Sequence, residues 1–196
     1  MQTSYLSVVT PPTPFVMPAD IRGGTSGDTA LAGLIAGVTN SITAPMGWLG
    51  RSLGEQTLLW QGSYWPDVLP CRPILSIMSV KYLDPAGVEQ TLDPAAYRLV
   101  GDRLLLSNGR PALANEPDAV RITYKAGGYI NVPQEARHAV ILAVQHLRDL
   151  GATETFLRSE TVEGVGVTNY SISPAASETI RKATESLLAG LRLYRS

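Results

Sequence analysis

The sequence predicts an α+β protein: a small helical bundle packed with an antiparallel β-sheet, followed by a C-terminal strand-helix arm. Three observations carry this expectation. Short runs of alternating character between residues 56 and 125 are separated by Gly, Pro, Asn and Asp, as in an antiparallel sheet. Apolar residues recur at helical spacing in three places, within 29–42, 136–150 and 180–194. Neither a fixed-period repeat nor the strand–helix alternation of a parallel sheet occurs.

Residues 1–19 lack the basic start and continuous apolar core of a signal peptide, and Pro11, Pro12, Pro14 and Pro18 would interrupt a helix, so they read as an extended arm. The glycine-rich Arg22–Gly27 reads as a flexible loop. Asp28 is placed to cap a helix whose stripe is Leu31, Leu34, Ile35, Val38 and Ile42, and Pro45 should end it. Gln56–Gln61 is the first expected strand of the sheet. Ile77–Leu83 and Val88–Leu92 flank Asp84-Pro85-Ala86-Gly87, whose proline and glycine suit a tight turn, so they should form a hairpin. Arg98–Val100, Arg103–Leu106 and Ala119–Lys125 add short strands, with Ser107–Pro111 as a turn. Gly127 and Gly128 end the last of these, and Pro133 opens a helix with Ala136, Val140, Ala143, Leu147 and Leu150 on one face and Gly151 positioned as its stop. Glu160–Ile172 reads as a glycine-interrupted strand, and Ser173-Pro174 opens a final helix with Ile180, Ala183, Leu187, Leu191 and Tyr194 on one face. This gives three segments: an extended arm over 1–19, an α+β domain over 20–156, and a C-terminal strand and helix over 157–196.

Composition excludes several functions. The 16 basic and 17 acidic residues among 196 give a net charge of −1, which argues against DNA wrapping as the main task. With one cysteine, Cys71, the chain has no intrachain disulfide and no cysteine zinc cluster, which is compatible with a reducing cytoplasm. The most apolar early run, Thr29–Ile42, is too short to span a bilayer, so membrane insertion is not expected.

The search for catalytic chemistry returns little. His138 and His146 lie eight positions apart on one helix, beyond the i, i+4 spacing that grips a metal, and read as solvent-facing or interface residues. Arg72 beside Cys71 would favour a thiolate, yet no histidine is close in sequence, and an inert thiol is the simpler reading. Arg22–Gly27 lacks the lysine of a phosphate-binding loop and follows no strand. Trp48, Trp60 and Trp65 with Tyr64 suggest a stacking platform, but their spacing fits core and edge packing better. Arg181, Lys182, Arg192 and Arg195 form a basic cluster that suits a solvated face as well as an acidic or nucleic-acid partner.

A set of short motifs in order gives a sharper pointer. Val120 to Gly127 (VRITYKAG) precedes Pro133 and an apolar helix. Upstream come Pro73–Ile77, Val80-Lys81-Tyr82-Leu83-Asp84, Gly87, Gln90-Thr91-Leu92 and Tyr97; downstream come Ser159–Val167 and the ending Leu187-Leu188…Leu191-Arg192-Leu193-Tyr194-Arg195. In order and spacing this resembles the head-to-tail connector (adaptor) proteins of tailed bacteriophages, with their "V-T-Y-x-A-G" strand before "P-x-x-(apolar helix)" and a proline-led strand before "V-x-Y-x-D-x-x-G", "Q-x-L" and a closing tyrosine. The resemblance also implies that Trp48 and Leu49 continue a helical hairpin, a pattern from which Pro45 and Gly47 depart.

The resemblance implies a structural virion protein with no enzymatic activity and no cofactor, assembled in the bacterial cytoplasm and residing at the head–tail junction. It implies a ring of about twelve copies around a channel for double-stranded DNA, meeting the portal on one rim and the next tail-side protein on the other. Leu187, Leu191, Arg192, Tyr194 and Arg195 become the candidate residues for docking on the portal or a neighbouring subunit. From the residues themselves, the terminal helix reads equally as a docking arm or as the last helix of the core. Two alternatives stay open: another tail-side ring protein, such as a stopper or tail terminator, which should lack the long Val132–Leu150 helix, and a small binding module or hydrolase, which needs a polar site gathering His138 or His146 with a carboxylate.

Overall fold

The computed structural model describes residues 3–128, 132–156 and 174–192. The chain divides into two compact units: one takes in Met1–Pro14, Ile42–Val132 and Arg192–Ser196, the other Phe15–Ser41 and Pro133–Leu191. Their boundaries are not those of the three segments drawn from the sequence, because each unit gathers distant stretches of chain.

The first unit is built on a five-stranded antiparallel sheet of β1 (Ser4–Thr10), β2 (Gln56–Gly62), β3 (Ile74–Leu83), β4 (Glu89–Thr91) and β7 (Val120–Ala126), in the order β1-β2-β7-β3-β4. The hairpin of β5 (Tyr97–Val100) and β6 (Arg103–Leu106) forms a second, two-stranded sheet. In β2 and β7 every second residue is buried, from Gln56 to Gly62 and from Val120 to Ala126, the signature of central strands with one fully covered face. That face carries Leu58, Trp60, Val120, Ile122 and Tyr124, which cluster with Trp65, Leu69, Ile74, Val80 and Leu104. Each such side chain stabilises the fold by about 1.5–3 kcal/mol when fully removed from water. Tyr124 is completely buried, and its hydroxyl donates to the Pro70 carbonyl at 3.0 Å, so its polar atom is satisfied. Burial pushes this phenol well above its usual pKa, and neighbouring Cys71 adds to the shift.

The expected hairpin forms between β3 and β4, with Lys81, Tyr82 and Leu83 opposite Thr91, Gln90 and Glu89. Asp84 organises its turn: the carboxylate accepts from the Ala86 and Val88 amides at 3.0 Å each and from Gln90 at 2.9 Å, while Gly87 takes φ +78°. Within residues 1–19, Ser4–Thr10 is hydrogen-bonded along β2 as an edge strand of the sheet.

The second unit is helical. In α1 (Thr29–Ile42), whose last residue belongs to the first unit, the Asp28 carboxylate accepts from the Leu31 amide at 2.9 Å, the expected cap. Leu31, Ile35, Val38 and Ile42 are buried as the periodicity requires. Residues 43–50 after α1 are turns rather than a continuing helix: Gly47 donates to Thr43 at 2.7 Å and Leu49 to Ile42 at 3.0 Å. A Cβ on Gly47 would lie 2.2 Å from the Ile42 carbonyl carbon, so this turn demands glycine. The Arg22–Gly27 loop is held rather than free, as Arg148 donates to the Arg22 carbonyl at 2.7 Å and a Cβ on Gly24 would meet the Pro18 carbonyl oxygen at 2.1 Å.

In α2 (Gln134–Phe156) two expectations are corrected. Gly151 does not stop the helix, which runs on to Phe156; a mid-helix glycine costs only about 1 kcal/mol, and no proline follows to break the ladder. The buried face is Ala136, Ala139, Val140 and Val144, whereas Leu147 is 44% exposed. Small side chains on this face suit close helix contact, and α3 (Pro174–Leu188) packs on α2. The strand expected over Glu160–Ile172 lies outside the described residues.

Candidate functional site

The terminal candidates divide by depth. Leu188 is fully buried and Thr184 nearly so, while Leu187 is 36% exposed and Leu191 half-buried. The inward face of α3 therefore runs through Thr184 and Leu188, one position beyond the Ala183–Leu187 line drawn from periodicity, and Leu187 points outward. Ala189–Leu191 form a short 3₁₀ turn after α3. Arg192 follows, its guanidinium 5.7 Å from the centre of the Trp48 ring, within cation–π range. Trp48 is 39% exposed, so this pair brings one candidate docking residue against an accessible indole that the sequence reading had assigned to packing. Tyr194 and Arg195 lie outside the described residues.

The basic cluster on α3 is engaged within its own helix. Arg181 reaches Glu178 at 2.7 Å and Glu185 at 2.6 Å, and Lys182 reaches Glu178 at 3.5 Å. The Arg181 guanidinium holds the Glu178 carboxyl below the usual range, and the two carboxylates hold Arg181 above its own. A self-neutralised, solvated row of this kind offers little field to a DNA backbone.

No described group resembles a catalytic or metal site. His138 is exposed and His146 half-buried, and eight residues of helix separate them by about 12 Å. Among the described residues no three His, Cys, Asp or Glu side chains are placed to hold a metal ion, and no helix is long and apolar enough to cross a membrane. A cavity of about 440 Å³ is lined by Ser63, Tyr64, Trp65, Asp67, Arg110, Pro111 and Leu113. Asp67 pairs with Arg110, and the Trp65 indole donates to the Pro111 carbonyl at 3.0 Å, so its polar groups are tied to one another rather than gathered around a nucleophile. Trp60 and Trp65 are almost fully buried, with Trp60 edge-on to Tyr64 at 5.4 Å, which is core packing rather than a stacking platform.

The two ends of the five-stranded sheet are the feature that sequence reasoning missed. β1 is exposed along nearly all its length, with Tyr5, Val8 and Val9 at 59, 42 and 57%. The Ser63 amide donates to the Thr3 carbonyl at 3.0 Å, and antiparallel alternation then turns the N–H and C=O of Ser4, Leu6 and Val8 away from β2. At the far end β4 covers only Lys81–Leu83, and Leu92 donates to Val80 at 2.8 Å. Before that point β3 carries two bulges, at Leu75 and Met78, whose side chains are 42 and 55% exposed. The aromatic and β-branched residues of Ser4–Thr10, Tyr5, Val8, Val9 and Thr10, were the signal for β1; the bulges leave none in a single sequence.

No protein-family model and no curated protein matches the chain. Solved structures do. The chain is similar to one in the neck of the native GTA particle computed with twelvefold symmetry, at 20% identity and a TM-score of 0.63, over 98% of this chain and 97% of that one. It is similar to a chain in the neck of the empty GTA particle computed with sixfold symmetry, at 20% identity and a TM-score of 0.62 over the same shares, 98% and 97%. A third likeness, to a chain in the virion of the native gene transfer agent particle, has 19% identity and a TM-score of 0.55 over 97% and 96%. Over nearly its whole length, this chain has the α+β fold of a protein from the neck of a gene transfer agent particle.

Proposed function

We propose that this chain is a structural virion protein, a head-to-tail connector (adaptor) subunit that assembles as a ring beneath the portal of a tailed phage or phage-like particle. The observation that carries the reading is the shared fold over 98% of this chain and 97% of a neck chain. The motif order gives independent support: the Val120–Ala126 strand and the long helix Gln134–Phe156 follow each other as in connectors, and a stopper or tail terminator should lack that helix.

The mechanism is repetition. Each subunit offers modest patches to its neighbours, and closure of a ring turns them into one joint of high effective concentration. A net charge of −1 suits a channel wall past which DNA slides, since a strongly basic lining would hold the duplex. Leu187, Leu191, Arg192, Tyr194 and Arg195, now joined by Trp48, form the candidate contact with the portal or an adjacent subunit. Mass photometry with and without portal tests the reading: the chain alone should be monomeric or a weak ring, and portal should convert it to a stable ring. A stable dimer indifferent to portal would overturn it.

A further inference from the structure

A subunit of a closed ring needs two different surfaces that fit each other, one on each flank. The five-stranded sheet ends in two such surfaces. Residues 1–19, which include all of β1, contain no Lys, Arg, Asp or Glu, and neither does Leu75–Ser79, the part of β3 left open between Ile74, whose amide donates to the Asp102 carboxylate at 3.2 Å, and Val80, which accepts from Leu92. The other strands with an open side in the described structure all carry charge: Glu89 in β4, Arg98 in β5 and Arg103 in β6. Proteins ordinarily place charges on exposed strand edges to prevent strand addition, so a seven-residue edge without any is fitted for a strand partner. Desolvating a charge against it would be costly, which leaves an uncharged strand as the matching occupant.

Strand direction agrees. The pairs β1–β2, β2–β7 and β7–β3 are all antiparallel, so β1 and β3 run in opposite senses. A neighbour related by rotation about a ring axis keeps its orientation, and its β1 would therefore enter antiparallel beside β3. We propose that β1 of each subunit pairs with the Leu75–Ser79 stretch of β3 in the next copy, with Tyr5 and Val9, which share the outward face of the sheet with Ser7, meeting the side chains that the bulges expose there, Leu75 and Met78. This rests on the ring reading above. The bulges shorten the hydrogen-bond ladder, so apolar contact carries most of the attraction, and each joint alone is weak.

The test is cysteine cross-linking in the full chain, mixed with portal and imaged for rings. Ser7→Cys is combined in turn with Leu75→Cys and with Met78→Cys; all three positions are exposed, so folding is little affected. Within one subunit three strand spacings, about 14 Å, separate β1 from β3, too far for an internal disulfide. The expected result is a ladder of linked multimers from a double variant and none from single variants. Rings without a ladder in either pairing would overturn strand exchange and leave the connector reading standing, whereas failure to form rings at all would overturn both. A dimer from Ser7→Cys alone would show β1 pairing with itself and would also overturn the inference. Tyr5→Lys and Met78→Lys give a second readout: ring assembly at least tenfold weaker with the melting temperature unchanged. Unaltered assembly in both would likewise refute it.

Discussion

The sheet-based unit and the helical unit bury their interiors by different means. In the first, large side chains such as Trp60, Trp65 and Tyr124 fill one face of a sheet whose backbone is locked by five strands of pairing. In the second, the contact face of α2 is Ala136, Ala139, Val140 and Val144, small residues that allow close approach and leave little room for change. The sheet tolerates variation at its rims, while the helices depend on a few positions that must stay small and apolar. All three tryptophans, Trp48, Trp60 and Trp65, belong to the first unit, and α2 and α3 belong to the second. Tryptophan fluorescence and helical ellipticity therefore report on the two units separately.

The strongest challenge to this contrast is Val140→Asp, which places an unpaired charge on the fully buried face of α2 and should destabilise the helical unit by about 4 kcal/mol or more. Leu147→Asp, two turns further along the helix where the side chain is 44% exposed, should cost under about 1 kcal/mol. Equal loss of ellipticity on heating in the two variants would show that the buried face has been misassigned. Next in size is Leu188→Ala, expected to cost about 2–4 kcal/mol by leaving a cavity, against less than about 1 kcal/mol for Leu187→Ala. If Leu187→Ala instead weakens portal-dependent assembly at unchanged melting temperature, docking and core functions divide between adjacent leucines. A smaller effect, about 1 kcal/mol, is expected from Asp28→Ala, which removes the α1 cap and should lower the helical transition while leaving tryptophan emission unchanged.

The smallest effect lies in the sheet's hairpin and depends on pH. The Gln90 side chain, then the Val88 amide, hold the Asp84 carboxyl below its usual range; Lys81, by hydrogen bond and charge, does the same for Glu89. Both are lowered in the folded state, so their contribution is complete above the unfolded carboxylate values, about 4, and is lost as pH falls through the folded ones. The Gly87 and Val88 amide resonances should move between pH 7 and pH 2.5, and Asp84→Asn should abolish most of that movement. Amides that titrate identically in the variant would separate the turn from its carboxylate.

Local signals made much of this fold legible. Asp28 and the Leu31–Ile42 stripe lie within one helix, and the Asp84–Gly87 turn lies within one hairpin, so adjacent residues fix both. The face of α2 was harder: Ala136, Val140, Ala143 and Leu147 make one line along the helix and Ala136, Ala139, Val140 and Val144 another, and only the packing partner selects between them. The same one-position ambiguity separates Leu187 from Leu188. The place of β1 beside β2 and the insertion of β7 between β2 and β3 depend on pairings across many tens of residues, which no local pattern encodes. Of the candidate docking residues, Arg192 has a visible environment that sequence could not provide, since its partner Trp48 is distant in the chain.

Cys71 is held 7% exposed in a left-handed backbone conformation, φ +63°, and it is the chain's one cysteine. The protein thus has its only thiol withdrawn from aqueous reagents. A cysteine introduced at any surface position becomes the sole fast-reacting group, so thiol footprinting can chart, residue by residue, which parts of the chain disappear from solvent as a particle is assembled.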